Sequence, residues 1–243
     1  MTAVVPLRRM ILGVTDHRYD KAAAQTAMTF AGQIGLEMLG LFIDEQDLLA
    51  LAELPLTREL RSLEAGWLAL NGNRLTMEAE IANRLAERQL RNIAERHEVK
   101  FASATFQGNP RDAIARHAQP GDVVAIAISE GAERTSTISM AKSALESSAL
   151  VMFVPKRPPR LGGQVVAVTE TNQSAALTIT TGKSIAAAMH AELIIRGPLD
   201  LDFTMPLRHR ERLLIASASE VDASSAALLA SDRKVPLLLL GTV

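Results

Sequence analysis

The chain has 243 residues, 48% hydrophobic and 22% charged, with a formal net charge of −1. That apolar share supports a full core and excludes a disordered chain, while the charge balance excludes a whole-molecule electrostatic footprint for nucleic acid or an anionic membrane. There is no cysteine, which removes disulfides, thiolate metal sites and a cysteine nucleophile together. No apolar run approaches the ~20 residues of a membrane span, so membrane insertion is not expected. Met1 to Met10 lacks the apolar stretch of a secretory signal, and the cytoplasm is the expected compartment.

Met10-Ile11-Leu12-Gly13-Val14 is a short apolar run ending at Thr15-Asp16, the pattern of a buried strand. Ala23, Ala27, Phe30 and Ile34 then recur at helical spacing. Asp16 or Asp20 suits the helix start and Gly35 its end. Met38 to Ile43 is a second buried strand, which makes a βαβ unit with a parallel pair. Residues Asp47 to His97 are helical in pattern. Leu56, Leu60, Leu63, Trp67 and Leu70 form one stripe. Asn71-Gly72-Asn73 interrupts it, and Leu75, Ala79, Ala82, Ala86, Leu90 and Ile93 form a second stripe. Val99 to Phe106 alternates as a strand. Gly108-Asn109-Pro110 turns into a short helix through Ile114. Val123 to Ile128 is apolar on both faces, as a central parallel strand is. A helix is expected over Ser139 to Ser147 and a closing strand over Ala149 to Val154.

Pro155 to Gly163 holds two adjacent prolines and a glycine pair, the composition of a linker. After it the pattern restarts. Ile11 to Asp16 has a counterpart in Val165 to Glu170, Asp122 to Ser129 in Arg212 to Ser219, and Ala149 to Phe153 in Pro236 to Leu240. Matching blocks in one order indicate an internal repeat. The expected units are residues 1–157 and 158–243, the second a trimmed copy with four strands.

The order of these elements resembles the universal stress protein family. Val14-Thr15-Asp16, Leu41-Phe42-Ile43-Asp44-Glu45, Gly108-Asn109-Pro110 with Ile114, and Ser148 to Pro155 carry the resemblance. It implies an α/β fold of two doubly wound parallel sheets, adenine nucleotide alpha hydrolase-like, with any ligand beyond the carboxyl ends of the strands. The positions it places nearest such a ligand are Thr15, Asp16, Phe42, Gly131, Ser136 and Thr137. Members of the family that bind ATP carry Gly-x2-Gly-x9-Gly-Ser/Thr after the fourth strand, where backbone N–H groups cradle phosphate. Here only Gly131 remains, with Glu130 and Glu133 adding negative charge. Ser217-Ala218-Ser219-Glu220 has no glycine at all. No cofactor is therefore expected, with ATP or AMP held without the usual loop as the alternative.

The remaining constellations point away from catalysis. The histidines His17, His97, His117, His190 and His209 show no metal-ligand spacing, and no Gly-x-Ser-x-Gly elbow is present. Arg208-His209-Arg210 with Arg212 forms a small basic patch, expected to be a solvated loop, with anion binding as the alternative. Leu56, Leu60, Leu63 and Trp67 suit packing on their own domain or, functionally, contact with a protein partner or second copy. The expectation is a non-enzymatic regulatory protein, with small-ligand or adenine nucleotide binding as the alternative. Members of the family commonly dimerise by pairing their last strands, so the resemblance implies that Leu150–Val154 and Leu237–Leu240 lie side by side and antiparallel, forming that pairing within one chain.

Overall fold

A computed structural model describes residues 7–15, 20–44, 54, 58–61, 66–69, 71–128, 133–158, 160, 162–170, 173–197 and 211–241. In chain order the elements are β1 (Arg9–Thr15), α1 (Lys21–Ile34), β2 (Glu37–Asp44), β3 (Arg58–Arg61), β4 (Gly66–Ala69), α2 (Gly72–Arg96), β5 (Phe101–Gln107), α3 (Pro110–His117), β6 (Val123–Ala127), α4 (Glu133–Glu146), β7 (Leu150–Val154), β8 (Gln164–Val168), α5 (Gln173–Ala188), β9 (Leu193–Arg196), β10 (Glu211–Ser217), α6 (Ala223–Arg233) and β11 (Leu237–Leu240).

Local chemistry sets the helix ends. Asp20 caps α1 through the amide of Ala23, which decides between the two aspartates offered by the sequence. Gly35 ends α1 in the left-handed region at φ 72°, and its amide and that of Leu36 both return to the Ala31 carbonyl. Asn109 caps α3, with Pro110 in the first turn where its missing N–H costs nothing. Asn71, placed by sequence in an interruption, caps the 25-residue helix α2.

Nine strands form one sheet in the order β5-β2-β1-β6-β7-β11-β10-β8-β9. Every pairing is parallel except β7 with β11, which run antiparallel with Leu237 opposite Phe153, Leu238 opposite Met152 and Leu239 opposite Val151. The pairing expected from the closing strands is therefore present, and it joins the two expected sheets into one. Outward from that junction the strand orders mirror each other, β7-β6-β1-β2-β5 on one side and β11-β10-β8-β9 on the other.

Side chains alternate between the two faces of each strand, so the sheet carries two cores. Met10, Leu12, Val123, Met152, Leu213 and Leu238 pack with α1, α2 and α5. Ile11, Val124, Val151, Phe153, Leu214 and Leu239 pack with α3, α4 and α6. The result is a three-layer α/β/α sandwich. At the margin of the sheet, the wholly buried carboxylate of Asp122 takes Arg9 Nε at 3.1 Å, Arg9 Nη2 at 3.0 Å and the Gln119 amide at 3.0 Å. This ties the start of β1 to the turn before β6.

Three expectations change. The stripe from Leu56 to Leu70 is not a helix over its described part. Residues 58–61 and 66–69 form an antiparallel hairpin, with Leu60 opposite Trp67, as a separate two-stranded sheet. A helix there would carry Gly66 in its interior at about 1 kcal/mol, and tryptophan favours the pleated conformation. Leu56, Leu63 and Leu70 lie outside the described residues. Next, α4 begins at Glu133, six residues earlier than Ser139. Finally, Arg212 is not part of a solvated loop: it is a buried residue of β10. Arg208, His209 and Arg210 lie outside the described residues.

Candidate functional site

In an open parallel sheet, the crevice for a ligand opens where neighbouring strands send their connections to opposite faces. Here those points lie between β1 and β6 in the first half and between β8 and β10 in the second.

The first-half positions come together only in part. Thr15 ends β1 opposite Ile43 of β2. Phe42 is buried in the core on the α1 side, so its ring is packed among apolar side chains. Ser136 and Thr137 stand within α4 rather than in a loop before it, and Thr137 is buried. Asp16 and Gly131 lie outside the described residues. With α4 starting at Glu133, only residues 129–132 separate it from Ile128. That is too short a span for the extended glycine loop of an ATP site. Asp44, at the end of β2, is also engaged: Asn83 Nδ2 of α2 donates to its carboxylate at 2.8 Å, and its carbonyl accepts from the Gly108 amide.

In the second half, a side chain of the chain itself reaches across the crevice between the described strand ends. Glu220, just beyond β10, accepts from the Thr169 hydroxyl at 2.9 Å and the Glu170 amide at 3.3 Å, both at the end of β8. The carboxylate thus bridges the gap between the two strand ends. Asp222 then caps α6, accepting from the amides of Ser224 at 2.8 Å and Ser225 at 3.1 Å and from the Ser225 hydroxyl at 2.7 Å. These bonds, the Ser225 hydroxyl first, hold the Asp222 carboxyl below the ordinary aspartate range. A helix N-terminus attracts phosphate because its first amides are unsatisfied. At α6 a fixed carboxylate already takes two of those amides and brings the negative charge the helix end favours. A phosphate there would have to displace Asp222 and meet the charge of Glu220.

Glu220 and Thr169 were not among the sequence candidates. The signal was nonetheless present: Thr169 occupies the place in the second half that Thr15 occupies in the first, and Glu220 follows the strand that matches β6. Among the described residues no three His, Asp or Glu side chains gather as a metal site, and no helix is long and apolar enough to cross a membrane.

No protein-family model matches the chain, and no curated protein matches it. A solved structure does. The crystal structure of a universal stress protein from Archaeoglobus fulgidus superposes with a TM-score of 0.59 over 96% of this chain and 98% of that one, at 13% sequence identity. The chain has the fold of a universal stress protein. At that identity the likeness speaks for the arrangement of strands and helices, and the crevice residues must be judged on their own chemistry.

Proposed function

We propose that the chain is a non-enzymatic regulatory protein of the universal stress protein kind, a tandem of residues 1–157 and 158–243, that acts through protein contacts and does not use the ATP phosphate loop. The observation that carries this reading is the crevice occupied by its own carboxylates. Glu220 takes the donors at the end of β8 and Asp222 takes the amides of α6, so the donors a triphosphate would need are already engaged. The shortened stretch before α4 points the same way.

The contact surface finds support on α2. Met77, Ile81 and Leu85 follow one another at steps of four, so they share a helix face, and they are 60%, 51% and 51% exposed. Large apolar side chains in a row on a surface favour a protein partner or a second copy of the chain. The hairpin of β3 and β4, with Leu60 and Trp67, precedes this helix and belongs to the same reading.

Nucleotide content tests the reading most directly. Protein purified without added nucleotide is expected to release no stoichiometric adenine nucleotide on denaturation, and calorimetric titration with ATP and magnesium is expected to show no tight binding. One ATP per chain, bound in the micromolar range or better, would overturn it in favour of a nucleotide-binding protein.

A further inference from the structure

A second concave feature lies away from the strand ends, between the two halves on the sheet face that carries α1 and α5. It is lined by Thr26, Thr29 and Gln33 of α1, by Arg212 of β10 and by Arg160 of the connecting segment, with Met152 of β7 among its apolar members. Among the described residues, the lining holds two guanidinium groups and no carboxylate.

Arg212 is the more unusual of the two. It is only 9% exposed. Its sole hydrogen bond among the described residues runs from Nη1 to the carbonyl of Met189 at 3.1 Å. One carbonyl uses one of five N–H donors. No carboxylate of the described residues pairs with it: the neighbouring Glu211 carboxylate lies instead 3.8 Å from Arg233. Burial pulls its pKa below the ordinary arginine value. Burial disfavours a cation without a counterion, and a single carbonyl offsets that only in part.

The backbone is adjusted to hold the side chain there. The register between β10 and β8 passes from Glu211 opposite Gln164 to Leu213 opposite Val165, so Arg212 is the extra residue of a bulge. A regular strand would send Arg212 and Leu213 to opposite faces. With the bulge both line the same hollow. Bulges of this kind re-aim side chains. Arg160 enters from the linker, where its Nη1 donates to the Glu211 carbonyl at 2.9 Å and its other donors remain available to a ligand.

We propose that this hollow is an anion site, in which Arg212 and Arg160 hold the phosphate or carboxylate group of a small ligand. A guanidinium fork matches either head group in two parallel hydrogen bonds. The hollow is partly open to solvent, so a head group would sit against the two guanidinium groups with the body of the ligand outside. The site is separate from the strand-end crevice and stands whether or not that crevice admits nucleotide. Its position between α1 and β10 also makes it a place where a ligand would join the two halves.

The test is calorimetric titration of the full-length protein at low salt with inorganic phosphate, acetate and AMP, each against wild type, Arg212→Met and Arg160→Gln. Wild type is expected to bind phosphate or acetate at one site per chain. Each substitution is expected to weaken that binding about tenfold to a hundredfold, the worth of a lost charge-assisted hydrogen bond. Tighter binding of phosphate identifies a phosphorylated ligand, and tighter binding of acetate a carboxylate. AMP binding that is lost with Arg212→Met places the phosphate of a nucleotide here. Should Arg212→Met fail to fold, Arg160→Gln decides, because Arg160 is only half buried. Absence of both phosphate and acetate binding in the wild type overturns the proposal, as does binding unchanged in the variants that fold.

Discussion

Asp222 shows how one side chain fixes local structure and closes a site. It caps α6 and thereby removes the amides that an anion would use. Replacing an N-cap aspartate by alanine costs about 1 kcal/mol, so Asp222→Ala is expected to lower the urea midpoint at neutral pH by a corresponding amount. The pH dependence follows from the lowered carboxyl pKa. The unfolded chain binds the proton more tightly than the folded one. The stabilisation is therefore complete above the unfolded aspartate value of about 4 and is lost as pH falls through the lower folded value. The difference between wild type and Asp222→Ala should be constant from neutral pH to about pH 5 and shrink in stronger acid. A difference that persists undiminished in acid would show that the charge plays no part in the cap.

At the scale of elements, periodicity was a good guide wherever an element had a buried partner. Val123 to Ile128 was legible as a central strand because both its faces are apolar, and it lies between β1 and β7. The buried stripe of α2 was legible in Ala86, Leu90 and Ile93, each of which is buried. The hairpin was not legible, because the seven-residue separation that puts Leu60 and Trp67 on one helix face also lets them stand opposite each other across a short antiparallel pair. The exposed stripe was missed because Met77, Ile81 and Leu85 stand beside the buried one, and only the fold shows which face of α2 meets the sheet. That stripe supplies the test at this scale. Ile81→Asp on an exposed face should change stability by no more than about 0.5 kcal/mol. If Ile81 contacts a second copy, the wild type should self-associate with rising concentration in sedimentation velocity, and the variant should remain monomeric. A wild type that is monomeric throughout eliminates the second copy as the occupant of this face.

Across the whole molecule, the decisive contact is the antiparallel pair of β7 and β11. Met152 and Phe153 on one strand and Leu237 and Leu238 on the other are fully or nearly fully buried. Neither strand is therefore an edge, and each half covers the hydrogen-bonding groups that the other would leave exposed. The family resemblance, together with the match between Ala149 to Phe153 and Pro236 to Leu240, made this pairing legible. The hollow with Arg212 was hidden because it depends on a bulge and on two segments distant in sequence. Separating the halves would restore the edge. Residues 1–157 alone keep five strands of the main sheet and two helical layers, with β7 newly unpaired on one side. A flat apolar edge of that kind pairs most readily with its own copy, and an antiparallel strand pair across a two-fold axis is self-complementary. The fragment is thus expected to dimerise in sedimentation velocity. A proline at Val151, which lies opposite Leu239 in the junction, should abolish that dimer by removing a backbone donor. A fragment that folds and remains monomeric would mean that the strand junction contributes little of the association energy and that packing of α4 against α6 and of α1 against α5 holds the halves together.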